Sequence, residues 1–469
     1  MNQKSSKAND VDLISKRQIG IISIGILLLL IAYFDVFGVL ESLNPDMRAA
    51  LGLLLLAGTL WLTEAVPMYA TSLIIVLSQI FFIQEETVSA GDALAPFFSP
   101  IIALFLGGFV LAAALHKYNI DVKIAKEMLR RVGKTPKNFM LALMGVTAFL
   151  SMWMSNTATT ALMVALAVPI YTQIPKEEKF KKAIILSIPF AANIGGMGTP
   201  VGTPPNAIIM DQLGSAGFNL TFLDWMIIAI PITLLMVLFV FVLLYFAFRP
   251  SLDTLNVDFD DEKISKGLSY KQKFVLLVFI LTVFLWLTSS IEVIGNIFQH
   301  TGIIALIPAV AFFSTGLMGK DDLANLNWNI LLLMGGGLSL GNAISSTGLD
   351  QELVNQVPHG ALGIILVILV FSGIAILLST FMSNTATAAM MAPIMIGIGM
   401  DLGSEISVMV SVALACSMAM ALPVSTPPNA IAYGTEIIDI KDMIKYGSLI
   451  SLVGIIVLTF IFGFGLFVY

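Results

Sequence analysis

The chain alternates long uninterrupted apolar runs with short polar stretches, and the runs show no period-two alternation. A helix needs about 20 apolar residues to cross a hydrocarbon core of roughly 30 Å, whereas the strands of a membrane barrel alternate inward and outward residues. The runs therefore predict membrane-spanning helices at 18–40, 48–63, 69–82, 100–115, 183–213 and 222–248. A second series follows at 274–290, 303–317, 327–344, 404–436 and 444–468. Eleven crossings put the two termini on opposite sides. The first run follows Lys16 and Arg17 but is too long for a signal-peptide core and lacks a small-residue cleavage site, so it reads as a retained helix.

Two apolar segments, 140–171 and 362–400, do not read as simple crossings, because each has a polar word near its middle. The word Met-Ser-Asn-Thr-Ala-Thr stands at 154–159 and again at 382–387. A second word, Thr-Pro-Pro-Asn-Ala-Ile, follows each copy, at 203–208 and 426–431. Two different words recurring in the same order mark a repeated unit. The arms of the first segment span about 22 Å at 1.5 Å per residue, too short to cross, which predicts a re-entrant hairpin.

Composition agrees with this class. Hydrophobic residues make up 58% of the 469, charged residues only 12%, and the mean hydropathy is +0.94. The net charge of -6 is spread over loops, and no basic, aromatic-interleaved patch is present, so no nucleic-acid partner is expected. With a cytoplasmic N-terminus, every one of the 24 lysines and arginines except Arg48 falls on the inner side, as the positive-inside rule requires. The first hairpin is flanked by Arg130, Arg131, Lys134, Lys137, Lys176, Lys179, Lys181 and Lys182, so it enters and leaves from the cytoplasm. The second is bracketed by Asp350, Glu352, Asp401 and Glu405 and is expected to enter from outside. Five crossings separate the two, so the halves should be inverted relative to one another, an architecture of secondary transporters.

The chemistry of the words fits that picture. Irregular backbone at membrane depth survives only where it is buried in protein or lines a wet cavity. A hairpin tip frees carbonyls at the end of one arm and amides at the start of the next, so it can hold a cation and an anion side by side. Thr-Pro-Pro-Asn breaks a helix, since proline removes a donor and disfavours helical backbone in the residue before it. Glycines 195, 196, 198 and 202 surround the first break, whereas Pro423 and Ser425 precede the second. No lysine, arginine or histidine lies near any of the four words. An anion would be held by dipoles, hydroxyls, amides and co-bound cations, and two facing cradles suit a ligand with two negative ends.

The bland readings are packing for the 24 methionines and for Cys416, close helix contacts for Gly107-Gly108 and the 335–337 glycines, and local capping or pairing for Glu64 and Asp211. An intramembrane enzyme would need a nucleophile with its base, or a metal cluster. The three histidines, His116, His300 and His359, are scattered, and none of these constellations is present. An anion channel would more naturally show a ring of basic side chains.

The paired Ser155-Asn156-Thr157 and Ser383-Asn384-Thr385 words, with the two Thr-Pro-Pro-Asn breaks, resemble the divalent-anion/sodium symporter family of di- and tricarboxylate transporters, over nearly the whole chain. The resemblance implies an all-α polytopic fold of about eleven transmembrane helices and two re-entrant hairpins, working as an elevator in a homodimer embedded in the lipid bilayer of the plasma (inner) membrane, with the C-terminus outside. It divides the chain into scaffold (1–135 and 274–356), transport domain (136–248 and 357–469) and a cytoplasmic linker (249–273). The implied substrate ligands are Asn156, Thr157 and Thr203 on one side and Asn384, Thr385 and Pro427 on the other. One sodium site would use Ser151, Ser155, Asn156 and Gly202; the second would use Ser379, Met382, Asn384 and Ser425. Sodium is the implied coupling ion and no organic cofactor is called for. Many sodium-coupled members have an acidic residue where this chain has Thr380, and a small residue where it has Met382. Sodium symport and dicarboxylate exchange therefore both stay open for substrates such as succinate, malate, fumarate or 2-oxoglutarate, with citrate or sulfate transport and an anion channel as the alternatives.

Overall fold

The computed structural model describes residues 15–131, 133–255, 267–356 and 359–465, and every regular element among them is a helix. Both termini, the middle of the 249–273 linker and the end of the 444–468 run lie outside the described residues. After α1 (Lys16–Phe34), the first half runs α2 (Pro45–Thr63), α3 (Met68–Phe82), α4 (Ala90–Leu94), α5 (Pro100–Lys117), α6 (Ile120–Arg131), α7 (Pro136–Ser151), α8 (Asn156–Tyr171), α9 (Phe180–Gly196), α10 (Pro204–Ser215) and α11 (Phe222–Ala247). The second runs α12 (Tyr270–Leu287), α13 (Glu292–Phe298), α14 (Thr301–Ser314), α15 (Lys320–Ala324), α16 (Trp328–Thr347), α17 (Leu349–Gln356), α18 (His359–Phe381), α19 (Asn384–Asp401), α20 (Glu405–Cys416), α21 (Pro427–Tyr433) and α22 (Ile440–Gly463). Setting α13 aside, the halves share one order of elements, with α2 to α11 matching α12 and α14 to α22.

Local chemistry sets the helix boundaries. Asn44 and Thr135 accept hydrogen bonds from the third residue beyond them, and a proline occupies the first helical position in both α2 and α7. Thr221 with Asp224 and Ser269 with Gln272 form reciprocal capping boxes at the starts of α11 and α12. Each such cap is worth about 1 kcal/mol.

Among the described residues, eight helices are long and apolar enough to cross a membrane, or nine when α13 and α14, bent by 66°, count as one span. All but one of the eight coincide with spans read from the sequence; the exception is Gly363–Phe381, the first arm of the second predicted hairpin. The count falls below eleven for reasons of length: α3 has 15 residues, and the 183–213 and 404–436 runs are each interrupted at their Pro-Pro words. Gly363, at φ +67°, separates the 363–381 arm from the residues before it.

The packing is reciprocal between the halves. α3 lies against α16 and α5 against α14, with glycine at both crossings. A Cβ on Gly107 would sit 1.9 Å from the Ala305 carbonyl oxygen, and one on Gly336 would sit 2.2 Å from the Ser72 Cβ. The glycine runs are close helix contacts, as their sequence predicts. In the other set, both arms of each polar hairpin pack on the helix that follows it: α7 and α8 on α9, α18 and α19 on α20. Each second arm also reaches across, α8 to α21 and α19 to α10. At the edge of this set Lys182 Nζ bridges Asp439 (2.6 Å) and Asp442 (2.7 Å). The Asp439 and Asp442 hydrogen bonds hold the Lys182 ammonium pKa above its ordinary value, and Lys182 holds Asp439 below its own. The tie is lost in acid as Asp439 takes up a proton and in alkali as Lys182 gives one up, so it is intact around neutral pH.

Candidate functional site

The four words occupy four helix starts. Ser155 and Ser383 are N-caps in extended backbone, their hydroxyls accepting from the amides of Ala158 (3.2 Å) and Ala386 (3.1 Å). Asn156-Thr157 and Asn384-Thr385 are thus the first two residues of α8 and α19, where backbone N–H groups lack helical partners. Thr203 and Thr426 are the N-caps of α10 and α21, followed by the proline pairs. The starts of α8 and α19 offer free backbone amides, whereas those of α10 and α21 open on proline pairs that have none and offer the Thr203 and Thr426 hydroxyls instead; no basic side chain stands in the surrounding sequence.

Around the first hairpin, Ser151, Asn156 and Gly202 converge. The Ser151 hydroxyl, fully buried, lies 2.7 Å from Asn156 Oδ1 and 2.8 Å from the Ala192 carbonyl oxygen. A hydroxyl carries one proton, so three oxygens share a single hydrogen, an arrangement that a cation relieves. Turning the Asn156 amide about lets it donate instead, so the same residues can be satisfied with or without an ion. Glycine is required beside them, since a Cβ on Gly196 would sit 2.5 Å from Asn156 Oδ1 and one on Gly202 would sit 2.4 Å from the Gly196 carbonyl oxygen. Asn206, the Asn of the Pro-Pro word, points its Nδ2 at the carbonyls of Thr199 (2.8 Å), Gly196 (3.0 Å) and Met197 (3.3 Å), stapling the break to its own helix.

The second set is alike in outline and different in detail. Ser425 donates to the Thr380 carbonyl (3.1 Å), joining the second break to the end of α18. The Thr380 hydroxyl is spent on the Ile376 carbonyl at 2.7 Å. The Ser379 hydroxyl, fully buried, stands beside the Cys416 thiol and has no hydrogen bond of good geometry among the described residues. Met382 is 4% exposed, and Asn384 Oδ1 is buried with no hydrogen-bond partner among the described residues. The hydroxyls of Thr159 and Thr387, the last residues of the two hexapeptides, are buried and unpartnered as well. Leaving such an atom unmatched costs about 1–3 kcal/mol, which is a physical reason to look for a ligand nearby.

Thr385 (7% exposed) and Thr203 (4%) are buried, while Thr157 and Pro427 are exposed. No hydrogen bond among the described residues joins one hairpin tip to the other. The halves meet through the broken helices, where Asn193 of α9 reaches Thr426 and Asn429 beside α21.

Sequence reading missed Asn193 because the repeat offers no second copy: aligning the Pro-Pro words sets Cys416 opposite it. It also missed an aromatic column at the first tip. Trp153 stacks on Phe222 (6.4 Å, 13°) and meets Phe279 edge-on (5.8 Å), and Phe222 stacks on Trp286 (5.0 Å, 10°). The first hairpin is therefore docked on Phe222 of α11 and Phe279 of α12, each ring contact adding about 0.5–1.5 kcal/mol. Its counterpart Phe381 is 58% exposed. A cavity of about 510 Å³ opens elsewhere, between the start of α5, the 210–221 segment and the α13–α14 corner, with Asp211 on its wall.

The described residues hold no cluster of three or more His, Cys, Asp or Glu side chains suited to a metal. Comparison with known proteins places these features in company. The family described as citrate transporter matches residues 58–413 and 300–468. The chain is 35% identical over 445 residues to an uncharacterised transporter of Haemophilus influenzae, covering 92% of this chain and 94% of that one. It is 34% identical over 458 residues to a Staphylococcus saprophyticus protein named sodium-dependent dicarboxylate transporter SdcS, covering 89% and 87%. In fold it is similar to the crystal structure of the Alcanivorax borkumensis YdaH transporter, with a TM-score of 0.56 and 16% identity over 79% of this chain and 86% of that one.

Proposed function

The chain belongs to the citrate transporter family of membrane transporters, and from that premise we propose that it carries dicarboxylates such as succinate, malate, fumarate or 2-oxoglutarate across the cell membrane by sodium-coupled symport. The observation that carries the reading is the pairing of two Ser-Asn-Thr hairpin tips with two Thr-Pro-Pro-Asn helix starts, none with a basic hydrogen-bond partner among the described residues. An anion with a carboxylate at each end has one set of amides and hydroxyls for each end: Asn156, Thr157 and Thr203 for one, Asn384, Thr385 and Pro427 for the other. Binding without a fixed positive charge stays weak enough for release, and sodium supplies the missing charge.

The first sodium ion sits among Ser151, Ser155, Asn156 and Gly202, where three oxygens already crowd one proton. The second sits among Ser379, Met382, Asn384 and Ser425, beside the unmatched oxygens of Ser379 and Asn384. Because Asn156 and Asn384 face both anion and cation, neither ligand is held well alone, and that mutual dependence is the coupling. The hairpins with their broken helices form the moving body, and the α3–α16 and α5–α14 crossings the fixed one. In a homodimer the moving body slides as an elevator, with the halves inverted across the membrane. Undocking Trp153 from the column on α11 and α12 is part of the first hairpin's movement.

Dicarboxylate exchange is the second reading, favoured by one observation: the Thr380 hydroxyl is committed to Ile376, and no carboxylate stands at the second cation site. The transport reading itself is tested in proteoliposomes holding the purified protein. Uptake of labelled succinate is expected to saturate, to be competed by malate and fumarate more strongly than by citrate or sulfate, and to be accelerated by succinate inside. Flux that does not saturate and ignores internal substrate is channel behaviour and sinks the carrier reading; competition led by citrate or sulfate reassigns the substrate.

A further inference from the structure

Asn193 is 1% exposed, in a helix of the first half, and its side chain reaches into the second. Its Nδ2 donates to Thr426 Oγ1 at 3.1 Å and to Asn429 Oδ1 at 3.4 Å. The network itself fixes which atom points where. Asn429 Nδ2 donates to the carbonyls of Leu422 (3.0 Å) and Met420 (3.2 Å), so the atom Asn429 turns toward Asn193 is its oxygen. An amide oxygen cannot donate, and Asn193 must meet it with nitrogen.

The consequence falls on Thr426. Its Oγ1 accepts from Asn193 Nδ2 and also from the Asn429 backbone amide at 3.3 Å. A hydroxyl has two lone pairs and one proton. Both lone pairs are used, no acceptor for the proton appears among the described residues, and Thr426 can act only as a donor. It stands at the start of α21, next to Pro427, where two prolines leave the hydroxyl as the donor in place of backbone amides. The first half is not built this way. Thr203 makes no side-chain capping bond, and the position opposite Asn193 is Cys416, a weak donor.

We propose that Asn193 is a positioning residue for substrate recognition: by occupying the Thr426 oxygen it turns the Thr426 O–H into a pre-oriented donor to one carboxylate of the bound dianion, while the Thr203 hydroxyl at the other end remains free to rotate. One end of the site is thereby fixed and the other adjustable, so diacids of different length share one anchoring end. The inference rests on the proposed dicarboxylate transport.

A double-mutant cycle tests it, with initial rates of labelled succinate uptake in proteoliposomes. Thr426→Val, which removes the donor, is expected to raise the succinate KM by about 10-fold or more, and Asn193→Ala, which only frees it to rotate, by about 5-fold, each with Vmax within a factor of two. The double variant is expected to be no worse than Thr426→Val alone, since Asn193 acts only through that hydroxyl. Thr426→Ser, which keeps the hydroxyl, should stay near wild type. The melting temperatures of the same four proteins in detergent should also be non-additive, which reads the Asn193–Thr426 bond without any transport. Multiplying KM effects, or an Asn193→Ala variant that melts earlier with an unchanged KM, overturns the assignment and makes Asn193 a purely structural tie. Absence of wild-type succinate uptake counts against the transport reading, a failure separate from additivity in the cycle.

Discussion

Replacing Asn156 or Asn384 with alanine is expected to abolish succinate uptake while leaving a folded protein in the membrane. Each asparagine begins a helix whose cap, Ser155 or Ser383, is untouched by the change, so the hairpin keeps its shape. What is lost is the amide proposed to face the ligands. A hydrogen bond to a charged group is worth about 1.5–3 kcal/mol, roughly 10- to 100-fold in affinity. Since the proposed sodium sites use the same amide, the two losses compound and uptake at micromolar succinate falls to background. Elution volume in gel filtration and melting temperature in detergent report folding separately. Wild-type uptake in either variant would remove the Ser-Asn-Thr words from the site.

Cysteine labelling should give an all-or-none result on the orientation of the two hairpins. Cys416 is the single cysteine of the chain and is fully buried, so the native protein should be nearly blind to a membrane-impermeant maleimide. Lys176→Cys, just past α8, is expected to react only when the reagent is on the cytoplasmic side. Asp401→Cys, at the end of α19, should react only from outside; both positions are exposed. The physical ground is charge. The first hairpin is flanked by lysines and arginines at both ends and the second by acids alone, and the inner side retains positive loops. Labelling of both cysteines from one side would end the inverted-repeat account.

The helices, the breaks and the four words could be read from the sequence because each depends on local chemistry: apolar length, the missing proline donor, a serine one residue before an Asn-Thr pair. The crossings at Gly107 and Gly336 were legible for a similar reason, as glycine runs in apolar helices have few other uses. What escaped was chemistry joining residues distant in the chain. Asn193 has no counterpart in the second half, so comparing the repeats cannot single it out. Nothing in the order of residues tells that Trp153 leans on Phe222 and Phe279 while Phe381 stands exposed. The number of crossings read from the runs also exceeded the helices long enough to cross, because 183–213 and 404–436 are two short helices each, and length is judged per unbroken helix.

The asymmetry of the two proposed cation sites keeps coupling as the decisive question. At the first proposed site the Ser151 hydroxyl lies between Asn156 Oδ1 and the Ala192 carbonyl, whereas at the second the Thr380 hydroxyl is bonded to Ile376 and the Ser379 hydroxyl stands beside the Cys416 thiol. The most direct test is labelled succinate accumulation in sealed proteoliposomes loaded with buffer alone, under an inward sodium gradient and under a matched potassium gradient. Sodium-coupled symport predicts transient accumulation above the external concentration with sodium and none with potassium. Uptake that is equal in the two gradients, or that occurs only when the vesicles are preloaded with dicarboxylate, would contradict it.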